Sequence, residues 1–355
     1  MKRIGMLTSG GDCQSLNATM RGIGKALFNH YGNEIQIIGF IDGYKGLMHN
    51  EYRELTSRDF SGILDEGGTI LGTSRQPFKM MRVIEDGFDK VAAMKRTYKH
   101  HNLDCLCVLG GNGSQKTANL LREEGLNVIG LPKTIDNDLY GTDMTFGFQT
   151  AVNIATEAID CIHTTAASHG RVFIIEVMGH AAGNLTLHAG IAGGADIILI
   201  PEIPYDIKAV AKAVERRASE GKNFTIIAMA EGAMSKEDAA MKKKELEKKR
   251  AALPASFELG DQITKLTGQE VRVTVPGHTQ RGGRPCPYDR VLSTRLGAAA
   301  AQFVIREKYG VLVGIHNDKI VPVPLEDVAG KLKLVDPDSE IVAQTRMIGI
   351  SFGDK

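Results

Sequence analysis

The sequence predicts an α/β fold built on parallel strands buried on both faces. Two observations predict it. Short runs rich in Ile and Val alternate with helix-length amphipathic segments, the pattern of βαβ units. The 355 residues also include 40 glycines, above the usual share of about 7%, and many fall where a run ends and a helix begins. At about 150 residues per domain the length implies roughly two domains.

Taken in order, strands are expected at residues 4–7, 35–40, 106–109, 128–131, 172–177, 197–200, 225–229, 271–275 and 311–315. Helices are expected at 15–30, where Leu16, Met20, Ile23 and Leu27 recur at helical spacing, and at 115–124, 151–164, 207–220 and 292–308. Residues 235–250 are almost wholly charged or small and read as a solvated helix face or a mobile excursion. A domain boundary is expected near 139–150, a stretch dense in Asp, Asn and Gly.

Composition excludes several function classes. Lys and Arg number 43 against 42 Asp and Glu, so there is no whole-chain basic field for nucleic acid or a membrane surface. No apolar run approaches the roughly 20 residues of a bilayer span. Met1-Lys2-Arg3 leads straight into the first strand, without the apolar stretch of a secretory signal, and a cytoplasmic location is expected. Cys13, Cys105, Cys107, Cys161 and Cys286 form no CxxC pair and read as buried or loop thiols.

The chemistry-bearing residues gather at strand ends. Thr8-Ser9-Gly10-Gly11-Asp12 follows the first strand and Leu109-Gly110-Gly111-Asn112-Gly113-Ser114-Gln115 follows the third. Each precedes a helix, where free N–H groups and the helix dipole favour an anion. Two such cradles suit a polyphosphate. Neither is GxGxxG with an acidic ribose ligand nor GxxxxGK[ST], which removes support from dehydrogenases and P-loop enzymes. Leu131-Pro132-Lys133-Thr134-Ile135-Asp136-Asn137-Asp138 follows the fourth strand. Its two aspartates can serve as metal ligand and general base beside a cation, the groups that phosphoryl transfer requires. Further on come Arg171, the turn Met178-Gly179-His180, Glu231, and a segment with Arg272, His278 and Arg281; Arg and His together can clamp a monophosphate.

With TSGGD, GGxGS, PKTIDND, HGRVFIIEVMGH, AEG and VPGHxQRGGxPxPYDR in this order, nearly the whole chain resembles the bacterial-type 6-phosphofructokinases. The resemblance implies two Rossmann-like three-layer lobes with mostly parallel sheets and an active-site cleft between them. It assigns residues 1–147 and about 280–330 to the phosphoryl-donor lobe, and 148–279 and about 331–355 to the fructose 6-phosphate lobe. It implies transfer of a phosphoryl group from ATP to the 1-hydroxyl of fructose 6-phosphate with Mg²⁺, Asp136 being the base and Lys133, Thr134 and Arg75 its catalytic neighbours. Gly11, Arg75, Gly110, Gly111, Asn112, Gly113 and Ser114 match the donor cradle. Thr134, Asp136, Asp138, Arg171, Met178, Gly179, His180, Glu231, Arg272, His278 and Arg281 match the sugar-phosphate site, with Asn112 and Asp138 as metal ligands. Arg171 and Arg272 reach that site from a neighbouring subunit in the family, which implies a homodimer or homotetramer.

Three positions depart from the family pattern or divide its subgroups. Asn112 stands where an Mg²⁺-binding Asp is usual. Gly113 resembles ATP enzymes, whereas Lys133 resembles pyrophosphate enzymes, a combination like that of the mixed-substrate group. ATP is the expected donor and pyrophosphate the alternative; a non-catalytic sugar-phosphate-binding relative is the rival from another class. NAD kinases and lipid kinases, which share a GGDG-like loop, lack the PKTIDND and GHxQRGG segments. At positions matching the family's effector site, Arg21 and Lys222 keep positive charge. Lys25, His163 and Glu220 occupy the others, which predicts weak regulation by nucleotide or phosphoenolpyruvate.

Overall fold

The computed structural model describes residues 1–355 and resolves the expected alternation into eleven strands. These are β1 (Lys2–Ser9), β2 (Ile35–Phe40), β3 (Tyr52–Leu55), β4 (Cys105–Gly110), β5 (Val128–Pro132), β6 (Val172–Val177), β7 (Ile197–Leu199), β8 (Thr225–Ala230), β9 (Val271–Thr274), β10 (Val311–His316) and β11 (Lys319–Pro324). The chain divides into two units, Met1–Thr150 with Arg281–Leu332 and Ala151–Gln280 with Lys333–Lys355.

In the first unit the strand order is β11-β10-β5-β4-β1-β2-β3. The five inner strands are parallel and the two edges antiparallel. Parallel strands need cover on both faces, and alternate residues supply it. Leu7, Leu106 and Val108 pack with Met94 of the helix Lys90–His100 and with Leu120 and Leu121 of the helix Asn112–Glu123. Ile4, Met6, Cys105 and Cys107 are fully buried too and face the other way. The helices Leu16–Tyr31 and Pro287–Ile305 pack together and lie against β2, β5 and β10. Their backbones nearly touch: a Cβ on Gly297 would stand 2.4 Å from the Thr19 carbonyl oxygen.

The second unit holds a four-stranded, all-parallel sheet in the order β7-β8-β6-β9. Val172, Ile174, Ile227 and Met229 pack against Val210 and Val214 of the helix Ile207–Ser219 and Leu259 and Ile263 of the helix Ala255–Thr267. Val271 and Val273 join that cluster from β9. By the two-residue period of a strand, Arg272 therefore points away from it.

The nine expected strands are present; β3 and β11, both edges, were not expected. The helix expected at 115–124 begins at Asn112, because the Gly111 carbonyl already accepts from Gln115 N at 2.9 Å. The helix expected at 292–308 begins at Pro287, a first-turn position where a missing N–H costs nothing. Residues 235–250 form two short helices, Lys236–Ala239 and Lys243–Ala252, the second with no buried residue, which is the solvated helix expected and not the mobile excursion. Lys249 ties the second down, 2.6 Å from the buried carboxylate of Asp238 and 2.8 Å from Glu258. No helix is long and apolar enough to cross a membrane.

Candidate active site

Strand register brings the three glycine- and charge-rich segments of the first unit together. Ser9 pairs with Gly110, and Gly110 with Pro132. Neighbouring strands lie about 4.8 Å apart, so residues 10–12, 111–114 and 133–138 leave the sheet side by side at its carboxyl edge. The order reverses here, since the chain continues from β1 to β2 on one side and later adds β4 and β5 on the other. That is where open α/β sheets bind ligands.

The first loop is pinned on every side. Gly10 has φ +87°; its N–H donates to the Ser74 carbonyl at 3.1 Å and its carbonyl accepts from Thr73 Oγ1 at 2.7 Å. Ser74 Oγ in turn donates to the Asp42 carbonyl at 2.6 Å. These bonds fix the turn that presents Arg75, whose side chain is exposed. Lys133 Nζ donates to the Gly11 carbonyl oxygen, and Arg281 Nη1 donates to that of Asp12 at 2.9 Å. A Cβ on Gly11 would stand 3.0 Å from Arg281 Nη1, so a side chain there would push the guanidinium back by a few tenths of an ångström. Arg281, matched in sequence to sugar-phosphate ligands, thus lies in the first unit against the donor loop.

Asn112, Gly113 and Ser114 form the first turn of their helix, with no side-chain cap, so their N–H groups have no partner within it. A Cβ on Gly113 would meet nothing within 4 Å. Beyond β5, Lys133 is buried. Burial holds its pKa below the usual lysine value and the Arg281 guanidinium pushes the same way, while Asp136 and Asp138 oppose. Thr134 Oγ1 accepts from Asp136 N at 3.0 Å. Asn137, at φ +49°, accepts from Thr145 N at 3.1 Å, and Thr145 Oγ1 donates to the Thr134 carbonyl at 2.8 Å. These bonds fold the loop back on itself between two half-buried aspartates, 136 and 138.

Donor-side chemistry includes one open oxygen. Asn112 Oδ1 is buried and accepts no hydrogen bond, which suits a neutral oxygen ligand of a hard cation. No cluster of three or more His, Cys, Asp or Glu side chains is gathered to hold a metal. The Cys13 thiol, in the loop after β1, is pushed up to about 12 by burial and stays neutral.

In the second unit the matched residues fall into two groups. Met178, Gly179 and His180 follow β6, Glu231 follows β8 and His278 follows β9, all at the carboxyl edge. Glu231 Oε1 accepts from the backbone N of Gly179 at 3.3 Å and of His180 at 2.7 Å, which holds His180 at φ +52°. Gln280 Oε1 accepts from Met178 N at 3.2 Å. Arg171 and Arg272 stand at the opposite edge, Arg171 just before β6 and Arg272 paired with Phe173. At about 3.3 Å per residue, Arg171 and Met178 are about 23 Å apart along the strand.

Sequence reading missed the groups that brace the site. Tyr44, fully buried, donates its hydroxyl to the Ser114 carbonyl at 2.8 Å. Gln115 Nε2 donates to the Gly110 carbonyl at 2.9 Å and that of Leu131 at 3.1 Å, tying β4 to β5 at the strand ends. At the effector-like positions, His163 Nε2 lies 2.6 Å from the Gly193 carbonyl oxygen and Glu220 lies 3.8 Å from Arg216.

A family model described as phosphofructokinase matches residues 3–304. The chain is 53% identical over 360 residues to the ATP-dependent 6-phosphofructokinase of Spirochaeta thermophila, covering 99% of this chain and 98% of the relative. It is 47% identical over 372 residues to that of Propionibacterium freudenreichii subsp. shermanii, covering 99% of each. Among solved structures, Pichia pastoris phosphofructokinase in the T-state superposes with a TM-score of 0.80 at 33% identity, over 98% of this chain and 36% of that one. A pyrophosphate-dependent phosphofructokinase from Marinobacter aquaeolei, at 20% identity, shares the fold with a TM-score of 0.81 over 99% of this chain and 92% of that one.

Proposed function

The chain belongs to the phosphofructokinase family, and on that premise we propose how its residues carry the transfer of a phosphoryl group from ATP to the 1-hydroxyl of fructose 6-phosphate. The observation that carries the reading is the in-register convergence of three loops at the carboxyl edge of the first sheet, with Lys133 and Arg281 flanking Gly11.

Donor phosphates bind at the free N–H groups of 112–114 and beside Lys133, with Arg75 reaching in from its braced turn. Asp136 takes the proton from the 1-hydroxyl as that oxygen attacks the γ-phosphorus. The bond to the bridging oxygen breaks, ADP leaves with its electron pair, and the proton passes from Asp136 to solvent. Concerted deprotonation avoids a free alkoxide at neutral pH. Lys133, Arg75 and the helix N–H groups offset charge spread over the transferred oxygens. Asn112 Oδ1 and Asp138 are the oxygens this chain offers to Mg²⁺, which when bound supplies charge neutralisation between the donor phosphates.

The open space at Gly113 leaves room for the inner phosphate of a nucleotide, which supports ATP over pyrophosphate despite Lys133. Fructose 6-phosphate is held by Met178, Gly179, His180, Glu231 and His278, and by Arg171 and Arg272 of a second copy. Glu220 puts a carboxylate among the effector-like positions, where it repels an anionic effector, so the fructose 6-phosphate curve should be hyperbolic with or without ADP. The deciding experiment is initial rate with fructose 6-phosphate and Mg²⁺, supplied in parallel with ATP and with pyrophosphate. Turnover with ATP and formation of ADP are expected; turnover with pyrophosphate alone would overturn the donor assignment.

A further inference from the structure

Glu270, unused in the reading above, holds both arginines of the phosphate clamp. Arg171 donates through Nε to Glu270 Oε2, and Arg272 through Nη2 to Oε1, so each carboxylate oxygen serves a different guanidinium. Strand geometry dictates the arrangement. Val172 N donates to the Glu270 carbonyl at 3.1 Å, which sets residues 171 and 270 side by side. Val172, Val271 and Val273 pack into the core, so Arg171, Glu270 and Arg272 share the opposite face of the sheet. The two guanidiniums hold the Glu270 carboxyl below the usual carboxylate range.

We propose that Glu270 is an internal competitor for the sugar-phosphate anion, occupying the two-arginine site in the ligand-free chain and yielding it when the phosphate arrives. This rests on the reading of Arg171 and Arg272 as fructose 6-phosphate ligands. A guanidinium edge can be given to one anion at a time, and a carboxylate left beside a phosphate dianion repels it. The Glu270 and Arg272 side chains are 44% and 54% exposed, so the carboxylate can turn into water, and the contact is of the exchangeable kind.

The test compares Glu270→Gln, Glu270→Asp and Arg272→Ala in the full-length enzyme, each measured for fructose 6-phosphate KM, kcat and oligomeric mass. Glu270→Gln should lower KM about two- to fivefold without changing kcat or mass, and inorganic phosphate should inhibit it at correspondingly lower concentration. Glu270→Asp, which keeps the charge, should hold the parental KM. An unchanged or raised KM in Glu270→Gln, or an equal fall in Glu270→Asp, overturns the competitor role. Arg272→Ala separates the two levels: a raised KM keeps the clamp reading standing whatever Glu270 does, whereas an unchanged KM overturns that reading itself.

Discussion

The buried ammonium of Lys133 donates to the carbonyl oxygen of Gly11, joining the loop after β5 to the loop after β1. A charge with 4% of its residue surface exposed is costly to bury unless its surroundings need it, and here it faces the glycine loops read as the donor cradle.

Lys133→Met should lower kcat/KM for ATP by about 10²- to 10³-fold, the loss usual for a group that meets developing transition-state charge. The pH dependence has a definite sign. Burial holds the Lys133 pKa below 10.5, so the active ammonium is lost at lower pH than that of an exposed lysine. ATP turnover in the parent should therefore decline as pH rises toward 10.5. Over the same window the unfolded chain binds more protons than the folded one, so this group's contribution makes the fold more stable as pH rises. Profiles of kcat/KM for the parent and Lys133→Met check this: the alkaline decline should vanish in the variant, and its persistence would assign the decline to another group.

Gly113→Asp probes the donor pocket by adding bulk and charge where a Cβ has open space. The fold should be intact, with an unchanged melting temperature, while the KM for ATP rises at least tenfold through repulsion of the nucleotide phosphates. A variant that uses ATP as well as the parent does would mean that the nucleotide does not run past the start of this helix.

Asp136→Ser should reduce kcat by about 10²- to 10⁴-fold, the range for loss of a general base. Fructose 6-phosphate affinity, read by equilibrium binding, should change little, because a base acts mainly in the transition state. A parallel loss of binding and turnover would make Asp136 a ligand instead.

Residues buried on both faces made the fold readable. β1, β4, β6 and β8 each carry an apolar run, Ile4–Leu7, Cys105–Leu109, Val172–Ile175 and Ile226–Ala230, because both their faces are covered there. β3, three of whose four residues are exposed, and β11, interrupted by Pro322, carry no such run. The helix Asn184–Ala192 was invisible for the opposite reason: its segment NLTLHAGIA shows no polar face, and amphipathic spacing was the signal sought. Of the site, the glycines and aspartates at strand ends were legible because turn chemistry is local. The partners of Tyr44 and Glu270 were not. Tyr44 meets Ser114 across 70 residues and Arg171 meets Glu270 across 99, so an ordinary tyrosine and a surface glutamate acquire roles only from strand pairing and packing.

Asp289 illustrates the same dependence in the core. Its fully buried carboxylate accepts from Gly147 N at 3.1 Å, Thr150 N at 2.8 Å and Thr150 Oγ1 at 2.5 Å. It thereby serves the uncapped N–H groups where the helix Phe148–His169 begins. Asp289→Ala would leave these donors buried without an acceptor and should cost about 3 kcal/mol of stability, read as an earlier unfolding midpoint in urea. A midpoint equal to the parent's would mean that water or a rearranged helix start replaces the carboxylate.

The separation of Arg171 and Arg272 from Met178 and Glu231 yields the sharpest test of assembly. The two groups stand at opposite ends of the strands of one small sheet: along β6, Arg171 is about 23 Å from Met178, and Arg272, level with Phe173, about 17 Å, whereas fructose 6-phosphate is shorter than either. If both groups bind it, two copies must contribute. Arg272→Ala and Glu231→Ala should each raise the KM for fructose 6-phosphate at least tenfold on its own. Mixed by co-expression or by dissociation and reassembly, the two variants form hybrid sites in which one copy supplies Glu231 and the other Arg272. A fraction of sites is then wholly native, and the mixture should recover a component with the parental KM. A mixture showing only the two elevated KM values would place all the ligands of a site within a single chain.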